Sequence, residues 1–141
     1  MKVLPNGLRV FNATPHVVRF WSAEWPEPVE VESDQVISAG VQEVCVGGVG
    51  YQNVYDDFKA IGREPIASLV TTEFIPTEEG RNILASIECD NRTVVVGSII
   101  AAQAYPGEVV AMTPAPGYER VPPAEKRMNP HKFVVYRKGK T

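Results

Sequence analysis

The sequence predicts an α+β fold: a single domain over 1–141 with a mixed, largely antiparallel β-sheet, two short helices and one strand–helix–strand unit near 93–112. Two observations predict it. Short runs rich in β-branched and aromatic residues recur along the chain, divided by proline and glycine breaks. Two segments, after Thr77 and after Ser98, read as helices by apolar spacing and caps.

Leu8 to Phe11 and Val17 to Trp21 read as strands on either side of the break Asn12-Ala13-Thr14-Pro15. Trp25-Pro26-Glu27-Pro28 forces extended backbone, because each proline biases the residue before it away from the helical region. Val29-Glu30-Val31-Glu32 alternates apolar and charged residues, as a half-exposed strand does. Val36 to Val46 predicts one or two strands broken near Gly40, and Gly47-Gly48-Val49-Gly50 a flexible turn. Residues 51–64 are polar and predict a loop or one short helix, and Ala67 to Ile75 returns to strand chemistry.

Pro76-Thr77-Glu78-Glu79 places a capping residue and two carboxylates where a helix N-terminus favours them, so a helix is expected near 77–88 despite Gly80. Thr93 to Val96 is continuously apolar, the signature of a strand buried on both faces. Gly97-Ser98 leads into a short helix, Ile99 to Ala104, which Pro106-Gly107 stops before a buried strand from Val109 to Met112. Five prolines between Thr113 and Pro130 predict an ordered, irregular loop or flap, and Phe133 to Tyr136 closes the sheet.

Composition excludes several classes. With 141 residues, 44% of them hydrophobic and 22% charged, the chain has the makeup of a globular domain large enough to bury a core. No apolar run approaches the roughly 20 residues that cross a bilayer, and no apolar stretch follows Met1-Lys2, so neither a membrane partner nor a signal peptide is expected. The expected location is therefore cytoplasmic. Cys45 and Cys89 are too few for a disulfide framework; each reads as a small core hydrophobe or a free thiol. His16 and His131 pair with neither cysteine at ligand spacing, so no metal or cofactor is expected.

Charge is uneven. Residues 1–90 carry 6 Lys+Arg and 14 Asp+Glu, residues 91–141 carry 8 and 3, giving the net −3 of the whole. The basic group comprises Arg120, Lys126, Arg127, Lys132, Arg137, Lys138 and Lys140. Such asymmetry suits a small anionic ligand, whereas the acidic total and the lack of a recognition helix disfavour DNA.

Three places could bind an anion. At Gly97-Ser98 the free amides that open a helix, and the Ser98 hydroxyl, suit a phosphate; plain helix capping explains the serine equally well. In Asn12-Ala13-Thr14-Pro15-His16, Asn and Thr favour a tight turn, and His16 could donate to a phosphate or simply meet a carbonyl. The segment from Thr113 to Arg120 leaves the C-terminal end of a strand, where open sheets place ligands; Tyr118 can stack and Arg120 can fork onto phosphate. Arg19 and Gln103 complete the candidate binding set. No catalytic residue is assigned: there is no nucleophile elbow, and Asp56-Asp57 and Glu78-Glu79 are neighbours whose side chains diverge.

Three segments together resemble a family of small proteins encoded by phages, prophages and some bacterial genomes. They are Asn12-Ala13-Thr14-Pro15-His16, the run from Val95 to Ala104, and the run from Ala111 to Gly117. Members commonly carry Asn-Leu-Thr-Pro-His, so Ala13 is a departure, as are Gly97 ahead of Ser98 and the basic tail beyond residue 120. The resemblance implies phage origin and, in outline, similarity to anti-defence proteins that sequester cyclic nucleotide or cyclic ADP-ribose signals in the infected cell. The expected function is then a nucleotide-binding module, a homo-oligomer holding a small phosphorylated ligand. A hydrolase using His16 and a phage interaction protein without a ligand are the alternatives.

Overall fold

The computed structural model describes residues 1–138; Lys140 of the basic group lies outside the described residues. The described residues form nine strands and two α-helices: β1 (Lys2–Val3), β2 (Arg9–Asn12), β3 (Val18–Phe20), β4 (Val29–Val31), β5 (Ala39–Asp56), β6 (Lys59–Pro76), α1 (Glu78–Ser86), β7 (Thr93–Gly97), α2 (Ile99–Ala104), β8 (Val110–Pro114) and β9 (Met128–Val134). Where length suggests a single domain, the residues sort into two compact units, Met1–Gly40 with Phe74–Thr141, and Val41–Glu73.

In the larger unit seven strands are ordered β1-β2-β7-β8-β9-β3-β4. The sheet is mixed. β1–β2, β3–β4 and β8–β9 pair antiparallel, while β2–β7, β7–β8 and β3–β9 run parallel. Side chains alternate across it, as strand geometry requires. Val94 and Val96 of β7, with Val110 and Met112 of β8, join Leu4, Val10, Val18, Phe20 and Val31 in one core. Val95 and Ala111 point the other way, into a second core with Ile37, Ile83, Ala101, Ala102, Tyr105 and Val109. This double burial is why residues 94–96 are apolar without interruption. Fully burying Phe20 is worth on the order of 2–3 kcal/mol by transfer of its apolar surface.

Both helices are capped by their own sequence. Thr77 accepts from the Gly80 amide at 2.9 Å, and Ser98 accepts from the Ala101 amide at 3.0 Å. Tyr105, fully buried just past α2, gathers the surrounding chain. Its hydroxyl accepts from the Thr77 amide at 2.9 Å and donates to the Ser38 carbonyl at 3.0 Å. A Cβ on Gly80 would collide with that hydroxyl, which accounts for a glycine inside α1.

The proline-rich stretch is more regular than the sequence suggests. Pro114 ends β8, a 3₁₀ turn covers Pro123–Glu125, and β9 begins at Met128 and contains Pro130. Met112 lies opposite Phe133 but Pro114 opposite Met128, so the register slips between them. Pro130 falls in the slipped part of β9, where the missing amide costs no ladder bond.

The second unit overturns the reading of residues 47–64. β5 runs straight through the glycines, and the turn is Asp57-Phe58, with φ of 47° and 68°. Two successive positive φ values are the signature of a two-residue hairpin turn whose twist matches the strands. The glycines serve cross-strand packing instead. A Cβ on Gly48 would meet Pro65 Cβ at 2.5 Å, and Gly50, at φ 66°, lies against Ile66. Cys45 and Cys89 are both exposed free thiols, which corrects the core alternative for each.

At the start of β2 and β7, Asp90 ties two strands. Its carboxylate accepts from the Arg92 amide at 2.8 Å, the Thr93 hydroxyl at 3.0 Å and the Arg9 guanidinium at 2.9 Å. The Arg92 amide, first, and the Arg9 hydrogen bond hold its pKa down, from 3.8 to about 2. A depressed carboxylate pKa stabilises the fold above the unfolded value, and that contribution disappears as pH falls from about 4 through about 2. Asp90→Asn should therefore be less stable than the parent at pH 6, with the difference closing by pH 2. Denaturant titrations across this range check it; a gap that stays constant with pH contradicts the assignment.

Candidate functional site

Because β2, β7 and β8 are parallel neighbours, the three candidate segments all leave the same end of the sheet. They do not form one site. Asn12 is fully buried and its amide is fully engaged: Nδ2 donates to the His16 carbonyl at 2.8 Å and the Val31 carbonyl at 3.0 Å. Its Oδ1 accepts from the Thr14 amide at 3.0 Å and the Thr14 hydroxyl at 2.7 Å. Asn12 and Thr14 thus build the turn and have no polar atom to offer a ligand, correcting their assignment as binding residues. The turn also joins β2 to the chain after β4, through Asp34 on the Asn12 amide at 2.8 Å and Ala13 O on the Ile37 amide at 3.1 Å. His16 is exposed, and its ring makes no hydrogen bond among the described residues.

Gly97 is buried and its role is also structural. A Cβ there would stand 2.7 Å from Val109 Cγ1 and 3.2 Å from Ala101 Cβ, so the missing side chain lets α2 and Val109 close over β7. The Ser98 hydroxyl is occupied as the cap of α2, a helix of only six residues. The amides of Ile99 and Ile100 have no partner inside the helix, but they are bordered by two apolar side chains exposed at 60% and 47%. Gln103 is exposed on the same helix. Thr113 is spent on the Lys132 carbonyl at 2.8 Å.

Two candidates do meet. Arg19 and Tyr118 line one cleft of about 590 Å³, with Pro28, Glu30, Val121, Ala124, Glu125 and Arg127. The chain builds it by pairing Phe20 with Met128, which brings Trp21 beside the residues that precede β9. The Trp21 and Tyr118 rings meet edge-on with centroids 5.6 Å apart. The Arg127 guanidinium lies 4.8 Å from the Tyr118 ring and 5.1 Å from Trp21. Such cation–π contacts are worth about 0.5–1 kcal/mol each where water reaches them. The Ala115 amide donates to Arg127 O at 2.8 Å, closing the base of the loop.

On the facing wall Arg19 is already committed. Its Nε donates to Glu30 at 2.9 Å and Nη1 to the Ala124 carbonyl at 2.8 Å. Arg127, by contrast, takes part in none of the ion pairs among the described residues, and neither does exposed Arg120. Sequence reading places Arg127 in the basic group but not in a site, and treats Trp21 only as a strand residue. No local pattern could join them, because their contact depends on β3 and β9 becoming neighbours. Comparison with protein-family models, with curated proteins and with solved structures gives no match to this chain. Among the described residues no helix is long and apolar enough to cross a membrane.

Proposed function

We propose that the protein is a non-catalytic binding module for a small phosphorylated nucleotide, received in the cleft walled by Arg19, Tyr118 and Arg127. The observation that carries this reading is the Arg127 guanidinium, stacked against two aromatic rings yet without a carboxylate partner among the described residues. A guanidinium held by its faces keeps its in-plane N–H groups for an anionic oxygen, and its fork matches a phosphate. Tyr118 offers a ring against which a base can stack. The cleft volume falls within the roughly 300–1,000 Å³ common for small-ligand pockets.

Glu30 and Glu125 on the rim oppose indiscriminate anion binding, so a ligand with both a ring and a phosphate suits the cleft better than a bare anion. In the setting that the phage resemblance implies, the module would sequester a cyclic nucleotide or cyclic ADP-ribose type of immune signal. Sequestration needs slow release rather than turnover, and affinity differences reside mostly in release rates. Calorimetric titration with a panel of such nucleotides tests the proposal. Arg127→Ala should weaken the tightest ligand about a hundredfold, the cost of about 3 kcal/mol for a lost charge-assisted fork. Ser98→Ala should leave affinity unchanged. No heat with any member of the panel, or loss of binding in Ser98→Ala alone, refutes the site.

A further inference from the structure

The cleft holds a carboxylate that a phosphate does not account for. Of the two on its walls, Glu30 is engaged by Arg19 Nε at 2.9 Å. Glu125, by contrast, enters none of the ion pairs among the described residues. Its place in the chain is fixed. Pro122 and Pro123, with their restricted φ, lead into the 3₁₀ turn Pro123–Glu125. The Glu125 amide donates to the Pro122 carbonyl at 2.9 Å, and Arg19 Nη1 holds the Ala124 carbonyl at 2.8 Å. Glu125 and Arg127 both line the cleft, while Lys126 between them donates from Nζ to the Glu119 carbonyl at 3.3 Å. A ligand therefore meets an anion and a cation on the same stretch of wall, one residue apart.

Resting on the nucleotide reading of this cleft, we propose that Glu125 reads the sugar: its carboxylate accepts from both hydroxyls of a ribose whose 5′-phosphate lies on Arg127. An ionised carboxylate only accepts hydrogen bonds, and a fully ionised phosphate has none to give it. Two such anions in one cleft repel each other, so the group that faces Glu125 has to be a donor carried by the ligand. In a nucleotide the sugar lies between the base and the phosphate. With the base stacked on Tyr118 and the phosphate on Arg127, the sugar is the part left to meet the neighbouring carboxylate. Two adjacent hydroxyls match the two carboxylate oxygens, and an acidic side chain on the ribose hydroxyl is how dinucleotide-binding folds recognise that sugar. The ligand class narrows accordingly. A sugar closed through a 3′,5′-phosphate ester has lost one hydroxyl of the pair, whereas a cyclic ligand closed through a pyrophosphate and a base–sugar bond keeps both.

Calorimetric titration of the full chain with the common ribonucleoside 5′-monophosphates, their 2′-deoxy counterparts and the 3′,5′-cyclic monophosphates tests the proposal. The tightest ribonucleotide should bind about ten- to a hundredfold more tightly than its deoxy and cyclic forms, the effect of losing a hydrogen bond to a charged group. In Glu125→Ala the ribo and deoxy forms should bind within about twofold of each other, because the variant removes the group that tells them apart. A merely structural role for Glu125 would weaken both and leave their ratio unchanged. Glu125 is exposed, where alanine has little effect on folding, and an unchanged near-ultraviolet signal from Trp21 and Trp25 checks this. Equal binding of the ribo and deoxy forms by the wild-type chain overturns the role of Glu125 and leaves the nucleotide reading standing. So does a ribose preference that survives in Glu125→Ala, or a preference for the cyclic forms. No binding by any of these up to about 1 mM also overturns the proposal, and the nucleotide reading falls with it only if the wider panel of cyclic signals is silent too.

Discussion

Replacing Asn12 by alanine should cost about 3–4 kcal/mol of folding stability, the largest effect expected of any single side chain in the Asn12–His16 turn. The reason is the number of groups left behind. The Val31 carbonyl and the Thr14 amide lose their partners inside the protein, and each unsatisfied buried group costs about 1–3 kcal/mol. The Thr14 hydroxyl can turn to the His16 carbonyl, already 3.1 Å away, and the exposed side of that carbonyl can take water. Asn12→Asp should be at least as harmful despite its matching shape. It points a carboxylate at two carbonyl oxygens, and a buried charge without a donor is costlier than a cavity. Urea unfolding checks both: a shift of about 2 M in midpoint is expected at an m-value of about 1.5–2 kcal/mol/M. A shift below about 0.5 M for either variant would mean that the turn is held by something other than this amide.

Gly80→Ala should destabilise although alanine is the best helix former, lowering the melting temperature by about 10 °C. In an exposed helix the change would add about 1 kcal/mol. Here the new methyl group enters the space of the Tyr105 hydroxyl, whose ring is fully buried and cannot retreat without giving up Thr77 and Ser38. Overpacking of this kind costs about 1–3 kcal/mol, and the displaced hydroxyl adds its lost hydrogen bonds. Tyr105→Phe opens the space by removing that oxygen. The double variant Gly80→Ala with Tyr105→Phe should therefore melt well above the sum of the two single losses. Strict additivity would show that the two positions do not compete for the same volume.

These two residues also show what the sequence reveals and what it hides. Asn12-x-Thr14 is legible as a turn, because Asn and Thr side chains fold onto their own backbone. That all four hydrogen bonds of the amide are consumed depends on Val31, which local pattern does not connect to it. Gly80 looks like a flaw in α1 until Tyr105 is placed beneath it. The run from Val94 to Val96 is the most informative stretch: uninterrupted apolar residues correctly signal a strand packed on both faces. The hairpin resists reading for a physical reason. Its glycines resemble a turn but make room for Pro65 and Ile66, while the true turn places Phe58 where glycine would advertise the positive φ. The cleft is half visible. Arg19 and Tyr118 can be named from sequence, but Trp21 and Arg127 become partners only when β3 is laid beside β9.

The choice between Arg127 and the start of α2 as the anion site is open to one direct reading. Arginine side-chain and backbone amide NMR signals can be followed together while the tightest-binding nucleotide is titrated in. The proposed cleft predicts a large, saturable shift of the Arg127 Nε–H resonance, with the amides of Ile99 and Ile100 unmoved. Saturable shifts at Ile99 and Ile100 with Arg127 silent would contradict it and return the phosphate to the helix that Ser98 caps.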